Sequence, residues 1–371
     1  MDETLTCVCC GAEVHRDEVY FVGDQPLCHD CADEETFVCD NCGFRHWNSD
    51  NQGDDRYDLC PSCREEYFVT CSECGRLIPN SEAWYDGDDD ETPPYCESCY
   101  REKVGDALHP YSYKPSPVFY GGGPLYLGVE LEVDGAGQSA SHARTVLNVI
   151  NRRKEYAYMK TDGSLDDGLE LVTHPCTLEE HCIKVPWAET VAAFREMHYN
   201  SHNAGTCGLH VHVNRDALGE HSAAQDETIS KILYLFERFW QEILRFSRRT
   251  ESQMNHWAAR YGYKNSAKEI LEHAKYDSGN GRYACVNLTN HDTIEFRAFR
   301  GTLKLNTLIA TLQFVDRICR VALALSESEI KDLSWPEFVL RLTDESTPEL
   351  IQYLKERRLY INEPVTAEWE V

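Results

Sequence analysis

The sequence predicts an α+β domain preceded by three small zinc modules, and three observations carry that prediction. Before residue 100, 13 of the 18 cysteines are concentrated, twelve of them in six C-x-x-C pairs. From Leu125 onward, strand-like and helix-like hydrophobic patterns alternate. Between them lies DALHPYSYKPSPVFYGGGP, residues 106–124, with four prolines and a Gly triplet. Such a stretch holds no regular element and reads as a linker, while its aromatics Tyr111, Tyr113, Phe119 and Tyr120 suggest that it lies against a neighbouring domain.

The cysteine pairs are Cys7/Cys10, Cys28/Cys31, Cys39/Cys42, Cys60/Cys63, Cys71/Cys74 and Cys96/Cys99, with Cys9 left over. Leading pairs begin at 7, 39 and 71, a period of 32 residues, and trailing pairs at 28, 60 and 96. Each C-x-x-C turn aims two sulfurs at one point, and two turns complete the tetrahedral four-sulfur site that Zn²⁺ prefers. Gly11, Gly43 and Gly75 follow the leading pairs, where a tight knuckle needs an unhindered backbone. One structural Zn²⁺ per unit is expected over residues 1–105, with ligands drawn either within each unit or between neighbouring units. Modules this small bury little apolar surface, so the metal supplies much of their folding free energy. Cys176, Cys182, Cys207, Cys285 and Cys319 are scattered, as reduced core thiols are.

Net charge is -27, and residues 1–110 hold 27 Asp+Glu against 7 Lys+Arg. An acidic surface repels phosphate backbones, which argues against nucleic acid and leaves the array a protein-interaction or targeting role. No apolar run approaches the roughly 20 residues that span a bilayer. The start, MDETLTCVCC, lacks the basic beginning and apolar middle of a secretory signal. Dense cysteine without such a signal points to metal rather than disulfides, and to the cytosol.

In the second domain, residues 125–371, strands are predicted over 125–134, 156–161, 168–173, 208–214, 283–289 and 293–299. Helices are predicted over 141–154, 178–200, 226–248, 265–275, 304–326, 335–343 and 347–357. Ile229, Ile232, Leu233, Phe236, Phe239, Trp240, Ile243 and Leu244 make one apolar stripe, which is ordinary core packing.

Nearly every predicted strand carries ionisable residues at spacing two. GVELEVD sets Glu130, Glu132 and Asp134 on one face, with Val129, Leu131 and Val133 on the other. KTDGSL presents Asp162 in a turn, and GLELVTHP puts Glu170 among apolar neighbours. GLHVHVNR aligns His210 with His212, and TIEFRAFRG aligns Glu295 with Arg297, Arg300 following. Each element alone is weak evidence. Together, on one sheet, they bring Glu130, Glu132, Glu170, His210 and Glu295 to a single surface that needs cations to stay ionised. Carboxylates with an occasional imidazole suit Mg²⁺ or Mn²⁺. Arg297, Arg300 and Arg282 then suit phosphate oxygens, and no Walker A motif offers an alternative cradle.

The order GVELE, TDGS, GLELVTHP, GLHVHVN, R-Y-x-x-V-N, TIEFRAFRG, across about residues 118 to 326, resembles the phage and bacterial amidoligase family. That family belongs to the glutamine synthetase-like carboxylate–amine ligases. The resemblance implies a curved, mostly antiparallel sheet with flanking helices. It implies metal ligation by Glu130, Glu132, His210 and Glu295, with Glu170 a further ligand. His212 would lie closer to nucleotide or substrate, Arg297 at the phosphates, and Asp162 would be a ligand or the base for the amine. The implied reaction uses ATP to activate a carboxylate as an acyl phosphate, which an amine converts to an amide. Partners would be a carboxylate and an amine, a peptide or protein among the candidates, in a bacterial or phage-infected cell. Rival readings are a metal-dependent hydrolase, a phosphotransferase to a nitrogen acceptor, and a non-enzymatic zinc-ribbon adaptor. Assembly state is left open.

Overall fold

The structure, a computed structural model, describes residues 4–85, 93–104, 107–276, 279 and 281–360. The chain divides into two units, Met1–Asp106 and Ala107–Val371. No helix among the described residues is long and apolar enough to cross a membrane.

In the first unit one arrangement occurs three times. The hairpins Thr4–Thr6/Glu13–His15, Thr36–Val38/Arg45–Trp47 and Phe68–Thr70/Leu77–Pro79 each carry a leading C-x-x-C in the turn. Short helices, His29–Glu35, Pro61–Tyr67 and Glu97–Val104, carry the trailing pairs at their starts. Gly11, Gly43 and Gly75 have φ of 79°, 74° and 73°. In that left-handed conformation their N–H groups return to the carbonyls of Cys7, Cys39 and Cys71 at 3.0, 2.8 and 2.9 Å, closing each knuckle. The four sulfurs come together within each unit, as Cys7/Cys10/Cys28/Cys31, Cys39/Cys42/Cys60/Cys63 and Cys71/Cys74/Cys96/Cys99, all within 4.8 Å of one another. Ligand sharing between neighbouring units is thereby excluded for these sets. Crowding makes joint ionisation costly without a cation: the Cys96 sulfur, then burial and Cys74, push the Cys99 thiol up to about 12. The apolar support is thin, with Leu27 and Ala32 around Cys7, and Phe37, Leu59, Phe68 and Leu77 around the second set.

The second unit is built on six strands: β1 Leu127–Asp134, β2 Ala157–Lys160, β3 Gly168–Thr173, β4 Gly208–Asn214, β5 Val286–Asn287 and β6 Thr293–Arg300. They pair in the order β2-β3-β1-β4-β6-β5, antiparallel throughout. β1, the first strand in sequence, therefore sits near the middle, flanked by β3 and β4. Its Val129, Leu131 and Val133 are fully buried, on the sheet face where two long helices, α1 (Ser222–Arg238) and α2 (Leu305–Ala324), meet β6. Phe236 of α1 meets Phe296 at 5.7 Å, and Phe314 of α2 meets Phe299 at 6.1 Å. α2 is buried along nearly its whole length, which its continuous apolar sequence allows. The opposite sheet face carries the polar side chains.

Several expected elements differ in extent. The 178–200 helix is two, Leu178–Ile183 and Trp187–Glu196, because Pro186 has no N–H to continue the ladder. The 226–248 helix breaks at Phe239, where ψ of 33° leaves the helical range, and resumes as Trp240–Ser247. Expected strand 283–289 shrinks to β5, preceded by a 3₁₀ turn over Gly281–Tyr283. Residues 107–124 form no strand or helix yet belong to the second unit. His109 bridges Lys160 on the β2 edge, and Tyr113 stacks on His109 with centroids 3.6 Å apart. Residues 361–371, the end of the expected second domain, lie outside the described residues.

Metal analysis of protein made under reducing conditions will give three Zn²⁺ per chain. Chelation will melt the first unit while the second keeps its own transition; a zinc-free, folded first unit would contradict the assignment of four cysteines to each ion. A further expectation concerns His181, whose Nε2 lies 2.9 Å from the Leu127 carbonyl and whose Nδ1 accepts from Trp187 at 3.3 Å. Burial lowers this imidazole to about 4. Its folded value lies below the unfolded one near 6.5, so stability is full above pH 6.5 and declines as pH falls toward 4, by about 3 kcal/mol in all. His181→Gln will flatten that part of the stability–pH curve in urea titrations; an unchanged slope would assign the acid sensitivity elsewhere.

Candidate active site on the open face of the sheet

The alternation of the strands decides which side chains meet. On β1 the even-numbered residues face away from the helices, and register carries that parity to the neighbours: Glu132 opposes Glu170, and Glu130 opposes both Val172 and His210. Glu170 opposes Lys160, His212 opposes Glu295, and Glu295 opposes Asn287. One cross-strand surface thus holds Lys160, Glu170, Glu132, Glu130, His210, His212, Glu295 and Asn287. A groove of about 470 Å³ lies over it, with Asp162, Arg282 and Arg297 also in its lining.

Glu130 is the hub. Its Oε2 lies 3.2 Å from His210 Nδ1 and its Oε1 3.2 Å from His212 Nε2. His210 Nδ1 is also 3.6 Å from Glu132 and 3.7 Å from Glu295, so three carboxylates converge on one buried imidazole nitrogen. Burial opposes the charge on Glu130, but His212 and then His210 hold its carboxyl well below the usual carboxylate range. Burial opposes the charge on His212 too, and Glu130 outweighs it, raising the imidazole. Glu295 accepts from Arg297 NH1 at 2.5 Å and Asn287 Nδ2 at 2.8 Å. Glu132 accepts from the Gly208 N–H at 2.5 Å. A side chain at Gly208 would collide with the His210 ring and Arg249, so this position must be glycine.

Lys160 is a site residue that the sequence pattern does not single out, although it shares the spacing of two with Tyr158. Its Nζ lies 2.9 Å from Glu170 Oε2, with the side chains only 9% and 2% exposed. Burial and the Glu130 and Glu132 charges push the Glu170 carboxyl up, and Lys160 opposes them. Protein cations thus relieve part of the repulsion that the sequence pattern assigns to metal alone. Arg249, equally unannounced, enters the groove from the chain after Trp240–Ser247, where no periodicity marks it; burial lowers its guanidinium to about 10. Asn287 stands within the R-Y-x-x-V-N pattern, which offers the signal but assigns it no role.

Other residues are placed differently from expectation. Arg300 does not line the groove; its NH1 reaches the Arg248 carbonyl at 3.5 Å. A bulge in the β4–β6 pairing between Leu209 and Val211 puts Arg300 opposite Gly208, on the same face as Arg297 but at the end of the ladder, where it turns to the main chain of Arg248. Arg282 sits at the rim, donating to the Tyr111 and Tyr283 hydroxyls at 2.7 and 2.9 Å. Asp162 is also peripheral, its Oδ1 accepting from the Ser164 N–H and hydroxyl at 2.7 and 2.6 Å. Asp134, ambiguous in the sequence, is a buried turn anchor. It accepts from the N–H groups of Gly135, Asp166 and Asp167 and from the Thr206 hydroxyl.

The donor set passes a chemical test for a divalent cation. Glu130/His212/Glu295 and Glu130/Glu170/His210 each offer ligand atoms within 4.8 Å of one another, mostly carboxylate oxygens, as Mg²⁺ and Mn²⁺ prefer. A carboxylate–imidazole cluster with arginines at its margin defines a candidate catalytic groove.

Comparison with known proteins agrees in class. Residues 148–319 match the family described as "Putative amidoligase enzyme". The match spans β2, β3, β4, β5 and β6 and hence Glu170, His210, His212, Glu295 and Arg297, while β1 with Glu130 and Glu132 precedes it. A crystal structure of a bifunctional glutathione synthetase from Pasteurella multocida is similar at 17% identity over 63% of this chain, with a TM-score of 0.34. This chain covers 46% of that one. No curated protein matches the chain.

Lys160→Met will cost about 3 kcal/mol in urea denaturation, because Glu170 is left buried and unpaired. Adding Glu170→Gln will recover most of that loss. A single-variant cost below about 1 kcal/mol would show that the pair does not hold Glu170 ionised.

Proposed function

We propose that the second unit is an ATP- and Mg²⁺-dependent carboxylate–amine ligase that forms an amide through an acyl phosphate. The observation that carries this reading is the convergence of Glu130, Glu132 and Glu295 on His210, with Arg297 bonded to Glu295 beside them. Glu130, Glu132, Glu295 and His210, with Glu170 adjoining, would hold Mg²⁺. When bound, the ion supplies the charge neutralisation that β- and γ-phosphate oxygens need.

The chain's own groups account for the remaining steps. Arg297 and Arg249 offer bidentate donors to the transferring phosphoryl group while the substrate carboxylate oxygen attacks phosphorus and ADP departs. Asn287 holds Glu295 and Gly208 holds Glu132, so the acidic centre stays fixed as charge moves. Asp162, at the rim, takes the proton of the incoming amine, whose lone pair attacks the acyl carbon and expels phosphate. A carboxylate-bearing peptide or protein suits the open groove, with the zinc modules serving to bring such a partner. Clusters of four reduced thiols suit a reducing compartment, the cytosol.

The test is Mg²⁺-dependent ADP release that requires both a carboxylate and an amine. Glu130→Gln will lower kcat by about 100-fold or more with the fold intact by circular dichroism. Full activity in that variant would overturn the assignment. Turnover without ATP would favour the hydrolase reading, and phosphorylation that stops at a nitrogen acceptor would favour the phosphotransferase.

A further inference from the structure

Beyond the end of β6, the guanidiniums of Arg248, Arg300 and Arg357 gather near His202, and Arg245 joins them through Arg357 and Arg358. Arg248 adopts a left-handed backbone, with φ of 64°, uncommon for a residue other than glycine. Its NH1 meets His202 Nδ1 at 3.0 Å and its NH2 donates to the Arg300 carbonyl at 2.7 Å. Arg300 NH1 returns to the Arg248 carbonyl. Arg357, capping the helix Pro348–Glu356, donates Nε and NH2 to the Arg245 carbonyl at 3.0 and 2.8 Å. Arg245 in turn reaches the Arg358 carbonyl at 3.4 Å. Burial, then the charges of Arg248, Arg300 and Arg357, depress the His202 imidazole, which places all three close to it.

The cluster is unlike the chain's other arginines. Arg152, Arg260, Arg317 and Arg320 each pair with a carboxylate at 2.6–2.8 Å. Among the described residues, none of Arg245, Arg248, Arg300 and Arg357 has a carboxylate within ion-pair distance. Glu356, next to Arg357, is engaged instead by Lys304 at 2.8 Å and Gln352 at 3.1 Å. The Arg300 Nε is buried, and no described residue accepts its proton. In a chain with 63 acidic residues and a net charge of -27, counter-ions are abundant. The fold nevertheless anchors these guanidiniums on main-chain carbonyls. Helix C-terminal carbonyls explain part of the anchoring, but each guanidinium has five donors, and Arg245 and Arg300 each commit one nitrogen here.

We propose that Arg245, Arg248, Arg300 and Arg357 form a binding site for a compact tetrahedral oxyanion, a phosphate or phosphate monoester, separate from the catalytic groove. None of the four lines that groove. Donors arriving from several planes suit a tetrahedral ion with three or four oxygens better than a planar carboxylate with two. The acidity of the rest of the chain opposes a long polyanion, so the ligand is small rather than a nucleic-acid strand.

The test is calorimetric titration of the full chain with inorganic phosphate and pyrophosphate, without divalent metal. One site is expected that persists in Arg297→Gln and weakens about tenfold in Arg357→Gln and again in Arg245→Gln, with thermal unfolding midpoints held. Acetate will not compete. Unchanged affinity in both cluster variants, or loss of the site in Arg297→Gln alone, would place the ion in the groove and overturn the proposal. Tighter binding of a DNA oligomer than of pyrophosphate would overturn the compact-anion assignment.

Discussion

The second unit depends on the strict alternation of one central strand. On β1, Val129, Leu131 and Val133 supply core while Glu130 and Glu132 supply the groove, and a slip of one residue would exchange them. Core and site are therefore specified by the same register. The hydrophobic demand of three fully buried aliphatic side chains holds the acidic residues opposite His210 and Glu170. That fixed opposition makes the acidic face tenable, because each carboxylate meets an imidazole, guanidinium, ammonium or main-chain N–H across the ladder.

Much of this is legible in the sequence. Period-two alternation marks β1, β3, β4 and β6, and it puts Glu130, Glu132, Glu170, His210, His212 and Glu295 on faces that the register then joins. Three physical effects hide the rest. The bulge between Leu209 and Val211 adds a residue to β6, so Arg297 and Arg300 share a face despite their spacing of three, yet Arg300, opposite Gly208 at the ladder's end, lies past the groove. Arg249 arrives from an irregular segment, where side-chain direction follows tertiary packing rather than any period. Phe239 carries the apolar stripe through a helix break, because a stripe records burial and not backbone continuity. Asp134 shows the converse: its position looks like that of Glu130 and Glu132, but three nearby N–H groups claim it for the turn.

The zinc modules follow a different logic. Their hairpins are three residues per strand and their helices one to two turns, too short to stand alone. Ligand pairing is what the sequence cannot choose, since sharing within a unit and bracing between units use the same C-x-x-C spacings. Packing chooses it. Each short helix returns its pair to the preceding hairpin turn, and the positive-φ glycines let the knuckle N–H groups fold back on the first cysteine's carbonyl.

The two acidic parts of the molecule thus handle charge in opposite ways. In the zinc modules, a set of four sulfurs needs an ion, because main-chain N–H groups stabilise only part of the negative charge. In the groove, Lys160, Arg297 and two imidazoles already balance much of it, which lets the face persist between ligands. A site fully neutralised by its own residues would gain little from a divalent cation, and one wholly unneutralised would not fold. The groove lies between those limits, with Glu130 shared by two histidines and Glu170 crowded despite Lys160. That intermediate balance keeps the charged groups fixed in place, and fixed charges stabilise moving ones best when they need not reorganise.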